Sequence, residues 1–269
     1  MAGEQARNGR DWMSFLRYAL KGKVMRSRSA SHPDQTGFSA EPKTSPDRPR
    51  SWASTQRLAF SVSQFATRGV SVPAIGDPLG GERLYLRPPA KVDYSQWAHL
   101  RAASADFLRP WEPVWPSDDL TPEGFRRRLE QYQRDRRIGR ALPYLIFDRD
   151  RDHLLGGVNV TNIRRGICQS ASIGYWMGED HAGQGHMSAA LALLLPYLFD
   201  FQGLHRVEAA CLPINQASMA VLMKQGFKLE GKARSYLCIN GRWEDHLLFS
   251  LLRSDLKSQK IHLGDCLNR

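Results

Sequence analysis

The sequence predicts an α/β protein in which a mixed, mostly antiparallel sheet of about seven strands is flanked by about four helices. Short apolar segments bounded by glycine, proline and charged residues recur along the chain, which is typical of strands. One of them is followed by a glycine-bearing loop and by apolar residues at helical spacing, namely Met187, Leu191, Leu194 and Leu198. Strands and helices in this order indicate a mixed α/β domain.

Composition divides the chain into unequal parts. The net charge is +11, and residues 1–75 contain twelve Lys and Arg against five Asp and Glu. The segment from Ser27 to Thr67 is rich in Ser, Pro, Arg and Gln and lacks apolar periodicity, which predicts disorder. We therefore predict a disordered basic N-terminal extension over residues 1–75, a folded domain over 80–256 and a C-terminal tail over 257–269. The sequence contains no run of about eighteen apolar residues, so no membrane span is predicted.

The segment Trp12–Lys21 within the extension has several interpretations. Phe15, Leu16 and Leu20 can share one face of a short helix, with basic residues beside them. This pattern is compatible with an anchor on a membrane surface or on ribosomal RNA, and with a transit peptide. An unstructured tail, or a start codon placed too far upstream, is the plainer interpretation and the one that we favour.

Cysteine and histidine spacing bears on metals and on redox compartment. Cys168, Cys211, Cys238 and Cys266 have no paired spacing, and three of them lie in apolar, strand-like segments. We expect buried free thiols, as in proteins of the reducing cytoplasm. The eight histidines are scattered as well, and their spacing does not resemble that of metal ligands, so no metal site is predicted.

The first elements of the domain follow from local signals. Arg83–Arg87 alternates as a strand does, and Tyr94–Ala103 has helical spacing. Phe107–Pro116 contains three prolines, which exclude a regular element, and its tryptophans suit the wall of a binding site. Thr121 followed by Pro122 is a strong helix start, because threonine caps and proline is tolerated in the first turn.

The middle of the domain reads as three strands followed by the glycine loop and its helix. The predicted strands are Pro143–Phe147, Leu154–Ile163 and Cys168–Met177, and the turns between them are short enough for hairpins. Pro196 lies inside the helix that follows, where it removes a hydrogen bond, so we expect a bend there. Gly203 is the predicted end of this helix.

The last elements repeat the strand and helix pattern. Asn215 is a helix cap and Gly226 follows the predicted helix end at Gln225. Asn240 and Gly241 form the kind of turn that closes a hairpin. The predicted strands are Arg206–Leu212, Phe227–Leu229, Ser235–Ile239 and Trp243–Leu252.

The glycine loop is the segment with the most chemical information. Gly183 and Gly185 join the strand Ala171–Met177 to the long helix. Free amides in the first turn of a helix attract anions, and glycines let a ligand approach the backbone closely. Neither a P-loop lysine motif nor the Gly-x-Gly-x-x-Gly dinucleotide fingerprint is present. The remaining kind of ligand is one whose diphosphate is bound mainly by backbone amides, and coenzyme A meets that description.

An ordered series of motifs resembles the GNAT acyltransferases, in particular the RimJ/RimL type of ribosomal-protein alanine N-acetyltransferase. The resemblance covers roughly residues 82–256. Its segments are Ile173–Gly178, His181–Met187, His205–Ala209, Asn215–Ser218, Leu222–Gly231 and Asn240–Asp245. The chain departs from the family pattern at Ala182, where the loop would carry Gln or Arg, and at Met187, where it would carry Gly or Ala.

The resemblance implies acetyl-CoA as co-substrate and no metal. Its implied coenzyme contacts are Trp176, Met177, Gly178, Gly183, Gln184, Gly185, His186, Met187, Ser188 and Asn215. A backbone amide near Met177 or Gly178 would stabilise the oxyanion that forms during transfer.

The resemblance also implies catalytic and acceptor residues. Ser218 is the implied proton donor to the departing thiolate, with Glu208 as a base acting through water and Glu179 as another candidate. Arg109, Trp111 and Glu179 are the expected acceptor contacts. Two plainer interpretations stay open: Asn215 is only a helix cap, and Ser218 is only a small packing residue.

The function implied is acetylation of a protein N-terminal alanine, that of a small-subunit ribosomal protein, by a cytoplasmic monomer or homodimer with a possible ribosome contact. An α-amine with a pKa of about 8 is deprotonated far more readily than lysine, at about 10.4. One alternative acceptor is a small amine such as an amino sugar antibiotic or a polyamine. Another alternative is a ribosome- or RNA-binding relative without catalysis.

Overall fold

The computed structural model describes residues 78–258. The extension predicted over residues 1–75, the segment Trp12–Lys21 and most of the predicted tail, with Cys266, lie outside this range. Within it, none of the helices combines the length and the apolar character that a membrane crossing requires.

Eight strands form one sheet in the described part of the chain, in the order β1-β2-β3-β4-β5-β6-β8-β7. All neighbours are antiparallel except β5 and β6. The strands are β1 Leu79–Gly80, β2 Leu84–Arg87, β3 Leu142–Asp148, β4 Leu154–Arg164, β5 Ser170–Met177, β6 Arg206–Cys211, β7 Lys228–Ile239 and β8 Arg242–Leu252. The predicted mixed, mostly antiparallel α/β fold is confirmed.

Two predicted strands near the C-terminus are in fact one. β7 runs through both of them, and its pairing with β8 shifts register between Ala233 and Leu237. Ser235 has a φ of +45° at this irregularity, and its amide donates to Asp245 Oδ1 at 2.9 Å. The side chain thus replaces a ladder hydrogen bond at the bulge, so the strand continues where the sequence indicated a break.

Six α-helices accompany the sheet in residues 78–258. They are α1 Tyr94–Ala103, α2 Ala105–Leu108, α3 Pro122–Arg137, α4 His186–Pro196, α5 Gln216–Lys224 and α6 Arg253–Ser258. The predicted bounds of α1 are confirmed, as is the cap of α3, where Thr121 Oγ1 accepts from the Gly124 amide at 3.1 Å. The prediction that 107–116 contains no regular element was wrong in part. α2 and a 3-10 turn at Arg109–Trp111 occupy its first half, because Pro110 lies in a first turn, where no amide donor is needed.

Pro196 changes the helix in which it lies. α4 ends at Pro196, and the chain continues as a π-helical segment over Tyr197–Phe201. The Gln202 amide donates to the Tyr197 carbonyl at 3.0 Å, a wider ring than that of an α-helix. Gly203 then reverses the chain with a φ of +65°. The bend expected at Pro196 is therefore realised as a wider helical turn after a residue that has no amide donor.

The apolar core occupies both faces of the sheet but covers them unequally. On one face, α4 contributes Leu191 and Leu194 to an apolar cluster that also contains Val158 and Val207. On the other face, helices α1 and α3 pack on residues of β3, β4 and β5, and this described cluster takes no residue from β6 or β8. The part of that face formed by β6 and β8 therefore lies outside this apolar cluster.

The cysteines are less uniformly buried than expected. Cys211 is buried, Cys238 is half-buried and Cys168 is exposed; all three are free thiols. Cys168 was predicted inside a strand, which was wrong because β5 begins only at Ser170. Gln169 lies between Cys168 and β5 and has a φ of +40°. The Gln169 carbonyl accepts from the His205 amide at 2.7 Å.

Candidate active site

The two central strands β5 and β6 run parallel and then separate. Four residue pairs join them, from Ser170 with Arg206 to Ile173 with Ala209. β5 continues to Met177 without β6 as a partner. A cavity of about 460 Å³ opens at this gap. Residues of both strands line this cavity, among them Tyr175 of β5 and Cys211 of β6.

The cavity reaches both faces of the sheet. Its wall includes the neighbouring residues Tyr175 and Trp176, and successive strand residues point to opposite faces. The wall on the side of α4 and α5 contains Tyr175, Cys211, Asn215 and Ser218. The remainder of the wall includes Trp111, Glu112, Trp176, Glu208, Tyr236, Leu237, His246 and Leu248. Two reactants can therefore approach one another through the sheet from opposite sides.

Ser218 is held at the gap by two hydrogen-bonded contacts. Asn215 caps α5, since its Oδ1 accepts from the Ser218 amide at 3.0 Å. The Ser218 hydroxyl lies 2.9 Å from the Tyr175 hydroxyl, which also reaches the Ser218 carbonyl at 3.3 Å. When Tyr175 donates to Ser218 Oγ, the serine proton is left free to point into the cavity. Of the two plainer interpretations, the capping role of Asn215 is observed, and Ser218 faces the cavity.

The groups around Ser218 are uncharged proton carriers. Burial raises the pKa of Tyr175 well above its ordinary value, despite the opposing effect of its hydrogen bond with Ser218. Burial likewise raises the pKa of the Cys211 thiol, against a smaller opposing effect of Ser218. Tyr175 is therefore a hydroxyl, and Cys211 is a thiol rather than a nucleophilic thiolate, at neutral pH.

The glycine loop precedes α4 with an open backbone. Gly183 and Gly185 have φ values of +71° and +82°, and a Cβ built on either would meet no atom within 4 Å. Gly185 is the N-cap of α4, and its side-chain position offers no cap to the first-turn amides. The amides of the first turn at His186, Met187 and Ser188 have no intrahelical acceptor. An anion of phosphate size fits this arrangement of exposed amides and helix dipole.

The polar side chains of the loop make hydrogen bonds within the loop itself. Gln184 Nε2 donates to the Asp180 carbonyl at 2.6 Å, and His186 Nε2 lies 3.3 Å from Gln184 Oε1. Burial, with nearby Arg83 and His181, lowers the pKa of His186, so its ring is neutral at neutral pH. Met187 is buried in the core beneath the loop. The backbone amides therefore remain as the main anion donors of the loop.

A family model described as an acetyltransferase (GNAT) domain matches residues 83–228. The chain belongs to the GNAT acetyltransferase family. The chain is 37% identical over 177 residues to the probable N-acetyltransferase YjcK of Bacillus subtilis, covering 66% of this chain and 98% of that protein. It is 34% identical over 174 residues to the [ribosomal protein uS5]-alanine N-acetyltransferase of Escherichia coli, covering 65% of this chain and 90% of that protein.

Solved structures support the same assignment. Mycobacterium smegmatis RimJ in complex with CoA-disulfide superposes with a TM-score of 0.67 at 32% identity, covering 74% of this chain and 98% of that one. A RimL ribosomal L7/L12 α-N-protein acetyltransferase in complex with coenzyme A gives a TM-score of 0.60 at 26% identity, covering 65% and 97%. The chain is an acetyltransferase of the RimJ/RimL type, as its sequence predicted.

The predicted coenzyme contacts fall into two groups by their position in the GNAT domain. Trp176 and Asn215 line the cavity, while Gly183–Ser188 form the loop and the first turn of α4 outside it. Gly178 follows β5, and its amide donates to the Leu155 carbonyl at 2.9 Å. The Gly178 amide is thus engaged within the sheet, and the predicted oxyanion donor is left to the unpaired edge of β5 up to Met177.

The predicted acceptor residues separate in the same way. Trp111 lines the cavity. Arg109 is 61% exposed and bonds Asp106 at 2.7 Å, and Glu179 is exposed in a 3-10 turn, so neither lines the cavity. Glu112 of the same segment lines the cavity, and its two carboxylate oxygens accept from Arg101 at 2.8 and 2.7 Å.

Glu208 is enclosed by arginines at the cavity wall. It accepts from Arg206 Nε at 2.9 Å and from Arg164 at 3.2 Å. Arg206 also bonds Glu230, which accepts from Ser250 Oγ at 2.6 Å. This ion-pair network suits a residue that shapes the wall better than a base with a free lone pair, although Glu208 does face the cavity.

The polar side chains of the wall that the sequence did not single out include Tyr175 and His246. The motif strand singled out Trp176, and period-2 alternation places the adjacent Tyr175 on the opposite face, toward α5. Its partner Ser218 is 43 positions away in the sequence. His246 lies in the last strand beside Asp245, where local pattern indicates only a strand. Among residues 78–258 no group of three or more His, Cys, Asp or Glu side chains could hold a metal ion.

Proposed function

We propose that this protein transfers the acetyl group of acetyl-CoA to the α-amine of an N-terminal alanine, on a ribosomal protein of the small subunit. The observation that carries the proposal is the Ser218 hydroxyl, 2.9 Å from Tyr175 where β5 and β6 part. It supplies a positioned proton donor at the point where a thioester and an amine can meet. The names of the uS5-alanine and RimJ relatives support the acceptor.

The coenzyme would be held in two places. Its diphosphate fits the amides at the start of α4, since nothing occupies the space over Gly183 and Gly185 within 4 Å. Its thioester arm would follow the free edge of β5 after Ile173, toward Ser218. Both features are made of backbone, which is consistent with the absence of a P-loop lysine in the sequence.

The transfer needs three events at the gap. The amine nitrogen bonds to the thioester carbonyl carbon, and the carbonyl π electrons move to oxygen, where a backbone amide of β5 stabilises the charge. The oxyanion electron pair then re-forms the carbonyl as the carbon–sulfur bond breaks with its electron pair on sulfur, and the nitrogen loses one proton. Ser218 donates its hydroxyl proton to that sulfur, and Tyr175 keeps the serine oriented.

The charges of the cavity favour a protein N-terminus over a small polycation. Each carboxylate that lines it is bound by arginine: Glu112 by Arg101, and Glu208 and Glu230 by Arg206. Pockets for amino sugars or polyamines need free carboxylates to balance several positive charges. An α-amine with a pKa of about 8 reaches its neutral form at low cost, so it needs no such carboxylate.

The test measures thiol release from acetyl-CoA with a panel of acceptors. The panel holds a peptide beginning with alanine, its N-terminally blocked twin, a blocked peptide with an internal lysine, an amino sugar and a polyamine. We expect turnover with the free alanine peptide alone and a loss of at least about tenfold in Ser218→Ala. Ser95→Ala, at an exposed serine on α1, is the matched control. Turnover confined to the small amines would replace the proposed acceptor.

A further inference from the structure

His246 is a buried histidine in β8 whose ring lines the cavity. Its exposed fraction is 3%, and it is the only histidine among the described residues of the cavity wall. The ring packs edge-on against Tyr236, with centroids 5.8 Å apart. A histidine fixed in this way presents a defined ring nitrogen to the ligand space.

The hydrogen bond of the ring determines which nitrogen is basic. Nδ1 of His246 lies 3.0 Å from the Glu244 carbonyl oxygen. A carbonyl oxygen only accepts, so Nδ1 carries the hydrogen, and the neutral ring has its lone pair on Nε2. Burial lowers the pKa of His246, although Glu244 and Asp245 oppose this, so the neutral form predominates at neutral pH. Nε2 is then a base available to a proton.

Strand register places the ring beside the gap. Leu248 lies opposite Ala210, the residue that follows the last β5–β6 pair at Ile173 and Ala209. His246 is two residues from Leu248 on the same face of β8, which is about 7 Å along the strand. It therefore faces the side of the sheet away from α5 and Ser218.

The other titratable groups of the described cavity wall are less suited to accept a proton. Its three carboxylates, Glu112, Glu208 and Glu230, are bound by arginine. Tyr175 and Cys211 are protonated, because burial raises both pKa values. Glu244 and Asp245 on β8 act electrostatically on His246, and Tyr236 on β7 packs against its ring. Glu208 on β6 and Glu112 in the segment after α2 line the same cavity.

We infer that His246 Nε2 is the proton acceptor for the attacking amine, an assignment that rests on the proposed transfer to an α-amine. The neutral amine forms a carbon–nitrogen bond with the thioester carbon, and Nε2 takes one nitrogen-bound proton. Ser218 protonates the sulfur on the other side of the sheet. The proton on Nε2 then leaves to solvent, and solvent restores the proton of Ser218, so the step balances.

The pH profile gives a readout that a structural role would not move. kcat/KM for an alanine peptide falls with a slope of one below the amine pKa of about 8, because the neutral amine becomes scarce. Below the lowered pKa of His246 the ring becomes charged, so the slope rises to two. A protein without this base keeps a slope of one throughout.

Two variants remove the base in complementary ways. In His246→Asn the amide nitrogen can still donate to the Glu244 carbonyl, whereas His246→Gln keeps a polar group near Nε2; neither titrates. His153→Asn, at an exposed histidine in the β3–β4 turn, is the matched control. Coenzyme A affinity and the thermal midpoint report whether each variant is folded.

We expect both His246 variants to bind coenzyme A as the parent does, to lose about a hundredfold in kcat, and to lose the lower break in the pH profile. Added imidazole should restore part of the activity of His246→Asn. Parent turnover with an unchanged pH profile in the variants would overturn the assignment alone. A parent that acetylates no α-amine would overturn the proposed function and, with it, this assignment.

Discussion

The hydroxyl oxygens of Tyr175 on β5 and Ser218 on α5 lie 2.9 Å apart. β5 supplies one and the first turn of α5 the other, so the pair forms only when strand and helix are packed together. Because burial raises the pKa of Tyr175, its hydroxyl stays protonated and can donate to the serine oxygen. When Tyr175 donates to the serine oxygen, the serine hydrogen is free to point into the cavity.

Tyr175→Phe should lower kcat by roughly five- to tenfold, the equivalent of one neutral hydrogen bond of about 1 kcal/mol. The KM for acetyl-CoA should change little, because the ring remains in place. Steady-state kinetics with an alanine peptide measure both. Tyr85→Phe on β2, outside the cavity, is the control. In Tyr175→Phe with Ser218→Ala, the two losses should not add, and additive losses would show that the hydroxyls act independently.

Asn215→Ala should lower the free energy of unfolding by about 1 kcal/mol, because the Ser218 amide loses its capping oxygen. Asn215→Asp keeps an acceptor at the same place and should retain most of that stability. Urea denaturation followed by circular dichroism gives the difference. Equal stability of the alanine and aspartate variants would mean that the cap contributes nothing to α5.

Gly185→Ala tests the amide cradle. Alanine at a φ of +82° strains the backbone by roughly 1–2 kcal/mol, and its Cβ would stand in the open space over the loop. Loss of about 1.4 kcal/mol of binding raises the coenzyme A Kd about tenfold, measured by calorimetry. Gly139→Ala has the matching features, a φ of +67° and no atom within 4 Å. It should be strained similarly, yet bind coenzyme A normally. An equal rise of the coenzyme A Kd in both variants would mean that the glycine loop does not bind the coenzyme.

Glu230 should make stability depend on pH in the acid range. Hydrogen bonds from Arg206 and Ser250 lower its pKa from 4.5 to about 2 in the folded protein. The stabilisation is present above the unfolded value and is lost as the pH falls through the folded one. Glu230→Gln should therefore flatten the decline of unfolding free energy between these pH values. Glu82→Gln, at an exposed site, should leave it unchanged; an equal effect of both would point to net charge instead.

Local signals in the sequence were sufficient for most of the fold. α1 has its predicted bounds, Thr121 caps α3, and Gly226 follows α5 with a φ of +84°. Each depends on residues within one turn or one strand, where caps, alternation and glycine conformations act. Errors arose where a distant side chain intervened, as when Asp245 carries β7 through the bulge at Ser235.

The sequence by itself determined the family and most of the order of elements, and it predicted Gly185, Asn215 and Ser218 as site residues, because these belong to contiguous motifs. Only the tertiary structure decided which side chains meet at the gap. Tyr175 reaches Ser218 across 43 positions, and Arg164 reaches Glu208 across 44. Such contacts are set by strand register and by the packing of a helix on the sheet, which no local pattern contains. The same register brings His246 to the cavity wall.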